Sequence, residues 1–306
     1  MKISILLLFT TLITIAEPLQ VLFLAGPDSH AHGEHEHVAG CKLLARALET
    51  GGVDAQTKVL TGGWFSDKSV FDDVDVCVVY GDAGGPLWHN EPFIDEKVKE
   101  GMGLLFLHYG VHPKKEIGEE YHLKWTGAYF DNDISVNPHW AATLEPNVDH
   151  PTANGQPQNF CALDEFYYNM RTKDDCQLCT HGLTAVPEEK DFMRYNNIWH
   201  KAGGEGIGKR QTLLWLKDSE NGSGRGAGFS GGHFHRNWAI DPFRRAVLNT
   251  IVWLGQREVP EDGVTLVEVT EEELNRDFAE GAETVELPTA ALLDFEPMKR
   301  PLEREQ

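Results

Sequence analysis

Apolar residues in the first third of the chain fall into short unbroken runs with amphipathic stretches between them. Leu19–Ala25 reads LQVLFLA, the pattern of a strand buried on both faces of a parallel sheet. Gly26 and Pro27 end it. Over residues 34–50, Val38, Cys41, Leu44, Ala45 and Leu48 recur at helical spacing and predict an amphipathic helix. Residues 53–60, 74–80 (VDVCVVY) and Gly103–Leu107 (GLLFL) predict three more strands, and 91–100 a second helix. Strand and helix alternate, so the fold class is α/β: an open, mainly parallel sheet with right-handed crossovers and a ligand crevice at the carboxyl ends of its strands.

Past His108 the pattern changes to alternation. Ile134, Val136 and 139–144, then 160–168, then 176–183 predict antiparallel additions, with a large insertion between Pro187 and Lys209. The chain returns to the sheet at 211–216 and 226–230. It closes the domain with a helix over 242–254, whose Phe243, Val247, Ile251 and Leu254 form one stripe. From Arg257 onward the composition shifts: 5 basic against 15 acidic residues give −10, which predicts an acidic arm packed along the domain or partly disordered.

The whole chain of 306 residues has 27 basic and 48 acidic side chains, a net charge of −21. That balance argues against nucleic acid as a partner, because a phosphate backbone needs a concentrated cationic surface. Lys2 precedes an uncharged run over 3–16 that ends in Thr14, Ile15 and Ala16, the form of a secretory signal cleaved before Glu17. The run is short of the ~20 apolar residues of a membrane span, and no second stretch is long enough for one. The expected divisions are a signal peptide over 1–16, an α/β domain over 17–256 and an acidic extension over 257–306, with the mature protein periplasmic or secreted. Of the five cysteines, Cys41 and Cys77 fall in apolar patterns and predict buried thiols. Cys176 and Cys179, on a strand over 176–183, would point to opposite faces with α-carbons about 10 Å apart, which excludes a disulfide between them.

Histidine changes the picture most. Of 14 in the chain, His30, His32, His35 and His37 lie in one loop after the first strand, over the predicted crevice. With a helix beginning near Glu34, His35 falls on its inward stripe while His30 and His32 stay in the loop. The fourth strand runs straight into His108 and Tyr109, the position where a nucleophile elbow would carry Ser or Cys. No cysteine occurs between Met102 and Phe160, so glutaminase-type acyl chemistry is not expected. His233 and His235 follow Gly231 and Gly232, a strand-borne pair with the character of metal ligands. Asp164 and Glu165 precede Phe166, Tyr167 and Tyr168, carboxylates beside the kind of aromatic faces that stack on sugar rings. Asn137, Pro138, His139 and Trp140 add a further histidine, and His150 before Pro151 reads as a turn residue.

Five segments occur together in order: VLFLAGPDSHAHGEHEHVAGCKLLARAL, LHYG, NPHW, DHPTANG with DEFYYNM, and GFSGGHFHRNW. In these the chain resembles the trehalose-utilisation (ThuA-like) family over roughly residues 19–255. The resemblance implies a flavodoxin-like, class I glutamine-amidotransferase-like fold and the processing of glucosides or their keto derivatives, here in an exported member. By position, His108, Glu165, His233 and His235 match the family's crevice motifs. The resulting expectation is His108, Glu165 and His233 as catalytic residues, with His35, His108, His233 and His235 around a divalent metal such as zinc. Tyr109, Tyr167, Trp140, His139 and Asn237 are expected to contact substrate. Two functions stay open. One is a sugar-processing isomerase, lyase or hydrolase that works by metal assistance or by His/Glu acid-base chemistry. The other is a non-catalytic carbohydrate-binding protein on the same fold. The density of titratable groups at strand ends favours the enzyme.

Overall fold

The computed structural model describes residues 17–62, 65–87, 89–177, 179–194 and 201–294. The expected signal over 1–16 lies outside them, as does 195–200 of the expected insertion. Ten strands share one sheet: β1 (Leu19–Ala25), β2 (Ala55–Leu60), β3 (Val76–Tyr80), β4 (Gly103–Leu107), β5 (His139–Pro146), β6 (Phe160–Asp164), β7 (Cys179–Ala185), β8 (Phe192–Arg194), β9 (Gln211–Lys217) and β10 (Gly226–Phe229). Across the sheet they run β8-β5-β7-β9-β10-β4-β3-β1-β2, with β6 paired to β5 off this path. The neighbours β2-β1-β3-β4-β10 are parallel, which is the flavodoxin-like order. The remaining strands add on antiparallel, as the change from unbroken to alternating runs predicts.

The unbroken runs have a direct cause. Val21, Phe23 and Val78 share one core with Cys41, Leu44 and Leu48 of helix α1 (His37–Glu49), while Leu22, Leu24, Cys77 and Val79 share another with Ile94 and Val98 of α2 (Glu91–Lys99). Both faces are covered, so successive positions from Val21 to Ala25 and from Val76 to Tyr80 are buried, and each large side chain buried this way contributes roughly 1.5–3 kcal/mol. Helix α3 (Asp241–Leu254), with Pro242 in its first turn, lies with α1; Phe243, Val247, Ile251 and Leu254 are fully buried. Element ends differ from the sequence reading by a few residues. Helix α1 starts at His37 rather than 34, because Glu34 is used in a bridge to Phe234. The 160–168 run stops being a strand at Asp164, after which Tyr168 bridges to Val136.

One expectation is overturned: Cys176 and Cys179 are disulfide-bonded, with α-carbons 5.3 Å apart. Strand β7 begins only at Cys179, and Cys176 sits in the preceding turn, where its carbonyl accepts from the amide of Cys179 at 3.1 Å. A turn brings residues i and i+3 together where a strand would separate them. Cys41 and Cys77 are buried thiols and Cys161 is exposed.

The arm after Arg257 lies along the domain as far as it is described. Val259, Val264, Val269 and Leu274 are buried. Its helix α4 (Glu271–Asn275) is capped by Thr270, whose hydroxyl accepts from the Glu273 amide. Arg46 of α1 pairs with Glu273 and Asp277. Fully buried Arg244 donates to the carbonyls of Trp238 and Val267 and to Asp241. Among the described residues no helix is long and apolar enough to cross a membrane.

Candidate metal centre

Four segments meet at the carboxyl edge of the parallel strands: the loop after β1, the residue after β4, the turn after β10, and Asp164-Glu165 at the end of β6. His108 turns sharply out of β4 with φ of 47°, and His35 has φ of 46°. This left-handed region costs a non-glycine residue about 1–3 kcal/mol and persists only where the surroundings impose it. Here the imposing contacts are visible. The His35 amide donates to the His233 carbonyl at 2.9 Å. The Asp164 carboxylate accepts from the amides of Gly232 (2.8 Å), His233 (3.0 Å) and Glu165 (2.7 Å). Tyr80 donates its hydroxyl to the Gly232 carbonyl. Gly232 itself has φ of 116°, which requires glycine.

These constraints aim four side chains at one point. His35 Nδ1 lies 2.8 Å from Asp82 Oδ1, and His108 Nδ1 lies 2.8 Å from the Ser230 carbonyl. Both partners only accept, which assigns the proton of each imidazole to Nδ1 and leaves a lone pair on Nε2. The two Nε2 atoms face each other at 3.0 Å. His233 Nδ1 is 2.9 Å from His35 Nε2 and 3.3 Å from Glu165 Oε2, which in turn is 3.4 Å from His108 Nε2. All four residues are buried, and their ligand atoms lie within 4.8 Å of one another. Tetrahedral zinc with bonds near 2.05 Å sets its ligands about 3.3 Å apart; four of the six spacings here run from 2.9 to 3.4 Å. Lone pairs converging without a proton between them are what a cation resolves. The outward bonds to a carboxylate and a carbonyl are the usual way metal-binding imidazoles are oriented.

The electrostatics agree. Burial, helped by the neighbouring histidines and opposed by Asp82, pushes His35 down to about 3, so it is neutral at pH 7. Burial disfavours a charge on Glu165, but the histidines around it, His108, His139 and His233, hold it well below the usual carboxylate range. Burial also works against charge on His233, yet the Glu165 and Glu34 carboxylates beside it raise it to about 9. Without a cation, then, the cluster stores one proton on His233, and a metal would take that proton's place. His233, 3.6 Å away, lowers Glu34 to about 2.

Of the residues expected from sequence, His35, His108, His233 and Glu165 are brought together. Tyr167 places its hydroxyl 3.2 Å from His108 Nε2, His139 Nε2 stands 3.4 Å from Glu165 Oε1, and half-buried Tyr109 lies beside the His35 ring. Three others are elsewhere. His235 sits outside the ligand group and bonds through Nε2 to the Leu274 carbonyl at 2.8 Å; a helical turn from 235 to 239 carries it away. Trp140 is in the core, where Nε1 donates to the Phe166 carbonyl and the ring stacks on Phe192; next to His139 on a strand, it points to the opposite face. Asn237 is buried and spends its amide on Leu163 and Asp164, which steadies the turn rather than reaching a ligand. Sequence reasoning missed Asp82, Glu34 and Asn137. Asp82 was open to discovery, because it follows β3 at the same sheet edge.

A family model described as trehalose utilisation matches residues 20–254. The chain is similar in structure to a putative ThuA-like protein from Parabacteroides merdae, with 18% identity, a TM-score of 0.52, and coverage of 81% of this chain and 95% of that one. A putative ThuA-like protein from Bacteroides uniformis gives 14%, 0.56, 80% and 95% in the same terms, and a cytoplasmic protein from Salmonella typhimurium gives 13%, 0.50, 77% and 99%. At these identities the likeness is one of fold. No curated protein matches the chain.

Proposed function

Because the chain belongs to the trehalose-utilisation family, we propose that it is an exported carbohydrate-processing enzyme whose reaction takes place at a divalent metal held by His35, His108, His233 and Glu165. The substrate class is a glucoside or keto-glucoside. The observation that carries the reading is the pair of unprotonated Nε2 atoms 3.0 Å apart, closed into a four-member set by His233 and Glu165. A dication also suits the local charge, since Glu165, Asp82 and Glu34 surround three imidazoles.

A zinc-type ion would supply Lewis acidity, polarising a sugar carbonyl or acidifying a bound water. The protein's own groups supply the rest. Asn137 Nδ2 donates to Glu165 Oε1 at 2.9 Å, and His139 stands beside the same oxygen. The carboxylate is thereby fixed with Oε2 towards the centre, where it would complete the ligand set; were Glu165 the base instead, the ligands would be the three histidines alone. The Tyr167 hydroxyl, now donated to His108 Nε2, becomes free to hold a sugar oxygen once that lone pair is engaged. Tyr109 offers a ring face at the more open side.

Metal analysis of protein purified without chelator, followed by a screen of glucosides and 3-keto-glucosides, tests this. The expected result is one equivalent of metal and turnover, both lost in His108→Ala. Metal-free wild-type protein that binds sugars without converting them would overturn the reading in favour of the binding-only alternative.

A further inference from the structure

The arm lies beyond the span that the family model matches, and it walls a pocket next to the centre. Glu34 Oε1 is 3.6 Å from His233 Nε2. On Glu34's other side a pocket of about 290 Å³ opens between the loop at 32–34, Phe234 with Arg236, and arm residues from Thr284 to Thr289. That wall is firmly built. Asn275 of α4 clasps Val285, donating from Nδ2 to its carbonyl (2.9 Å) and accepting its amide at Oδ1 (2.6 Å). The neighbouring Leu274 carbonyl holds His235, two residues from His233. A Cβ on Gly33 would come within 3.1 Å of the Val285 side chain, so arm and loop are in close contact. The arm is therefore tied to the same turn that carries a metal ligand.

The lining has a definite chemistry. Arg236 lies over the Phe234 ring at 4.4 Å. Its Nε is buried with no partner, and among the described residues it makes no ion pair. Burial lowers its pKa, against the pull of Asp164 and Glu34. The same pocket is lined by two acidic residues, Glu34 and Glu286, and by Thr284. Two acids against one base leave the charged lining negative, which disfavours an anion. A fork of donors and acceptor-only groups lining one pocket, beside an aromatic ring, instead suits vicinal hydroxyls. The volume is at the small end of ligand pockets, ~300–1,000 Å³, and fits one ring rather than a long chain.

We propose that this pocket is a subsite for one neutral sugar ring, with Arg236 and Glu286 binding its hydroxyls and the acidic arm serving as its outer wall. The inference rests on the carbohydrate reading of the metal centre. Calorimetric titration of the full chain with trehalose, methyl α-glucoside and glucuronate tests it. Arg236→Met should weaken trehalose binding at least tenfold, and Glu286→Gln, at an exposed position that cannot compromise folding, about threefold or more. Glucuronate should bind no better than methyl α-glucoside. Sugar binding that is lost in Glu165→Gln but unchanged in both pocket variants would overturn the subsite and leave the metal-centre reading standing. Tighter binding of glucuronate would overturn the neutral class. No binding of any probe by metal-loaded wild-type protein would overturn the subsite and the carbohydrate reading together.

Discussion

Replacing Asp82 with alanine leaves all four ligand side chains in place and removes only the carboxylate that fixes His35 Nδ1 at 2.8 Å. Loss of such an outer partner costs 10–100-fold in metal affinity. For a half-exposed acid that also neutralises the site, the upper end applies, about 2.7 kcal/mol. At free zinc held 100-fold above the wild-type Kd, metal stabilises wild type by about 2.7 kcal/mol, and a protein with hundredfold weaker binding by about 0.4 kcal/mol. Unfolding entropy of roughly 2.1 cal/mol/K per residue gives a chain of this length about 0.6 kcal/mol/K. The zinc-induced rise in Tm should then be about 4–5 °C in wild type and below about 1 °C in Asp82→Ala. Calorimetric melts with and without zinc, supported by chelator competition to obtain Kd directly, read both quantities. If Asp82→Ala keeps its Kd within twofold while His108→Ala loses binding, Asp82 does not orient His35. If wild type shows no zinc-induced rise, the centre itself is refuted.

Further outcomes follow from single features. His122 is buried against Phe106 and Trp125 with Nδ1 unpartnered, and burial pushes it down to about 3. The unfolded chain, with an ordinary value near 6.5, takes up a proton that the folded state refuses, so this stability is complete above pH 6.5 and lost as pH falls. The loss is about 1.4 kcal/mol at pH 5.5, and urea titrations at pH 7.5 and 5.5 should show the gap shrink by about that much in His122→Phe; an unchanged gap would contradict it. Iodoacetamide should label one thiol, Cys161, on the native non-reduced protein, three after unfolding without reductant, and five after reduction; mass spectrometry counts them. The protein should release no ammonia from glutamine, and His108→Cys should not create that activity, because oxyanion donors and a base must also be placed. Ammonia release by wild type that disappears on substituting His108 would show otherwise. Amino-terminal sequencing of protein from its native host should begin at Glu17, and an intact Met1 on cytosolic protein would refute export.

Much of the site was legible because it sits where an α/β sheet always opens. The order of strands and helices placed the loop after β1, the end of β4 and the late Gly-Gly turn at one edge, and so brought His35, His108 and His233 within reach of each other before any coordinates. His35 arrives there for a different reason than the helical stripe suggested. It precedes the helix, in a left-handed backbone held by His233. Where neighbours in sequence had to be told apart, the reading failed: Trp140 from His139, and His235 from His233. On a strand adjacent side chains point to opposite faces, which parts Trp140 from His139, and the helical turn over 235–239 takes His235 away from His233.

Sequence by itself determined the fold class, the parallel core and the histidines that crowd its edge, since burial on both sheet faces and along helix stripes leaves a periodic record in the chain. Tertiary structure decided which of those histidines share a centre and which tautomers their outer partners impose. It also decided that Asp82 and the Ser230 carbonyl are those partners, that Cys176 meets Cys179, and that the acidic arm folds back beside Glu34. Each of these depends on backbone groups or turns brought together from distant parts of the chain, and a contact between residues such as 35 and 233 has no period for a sequence to display.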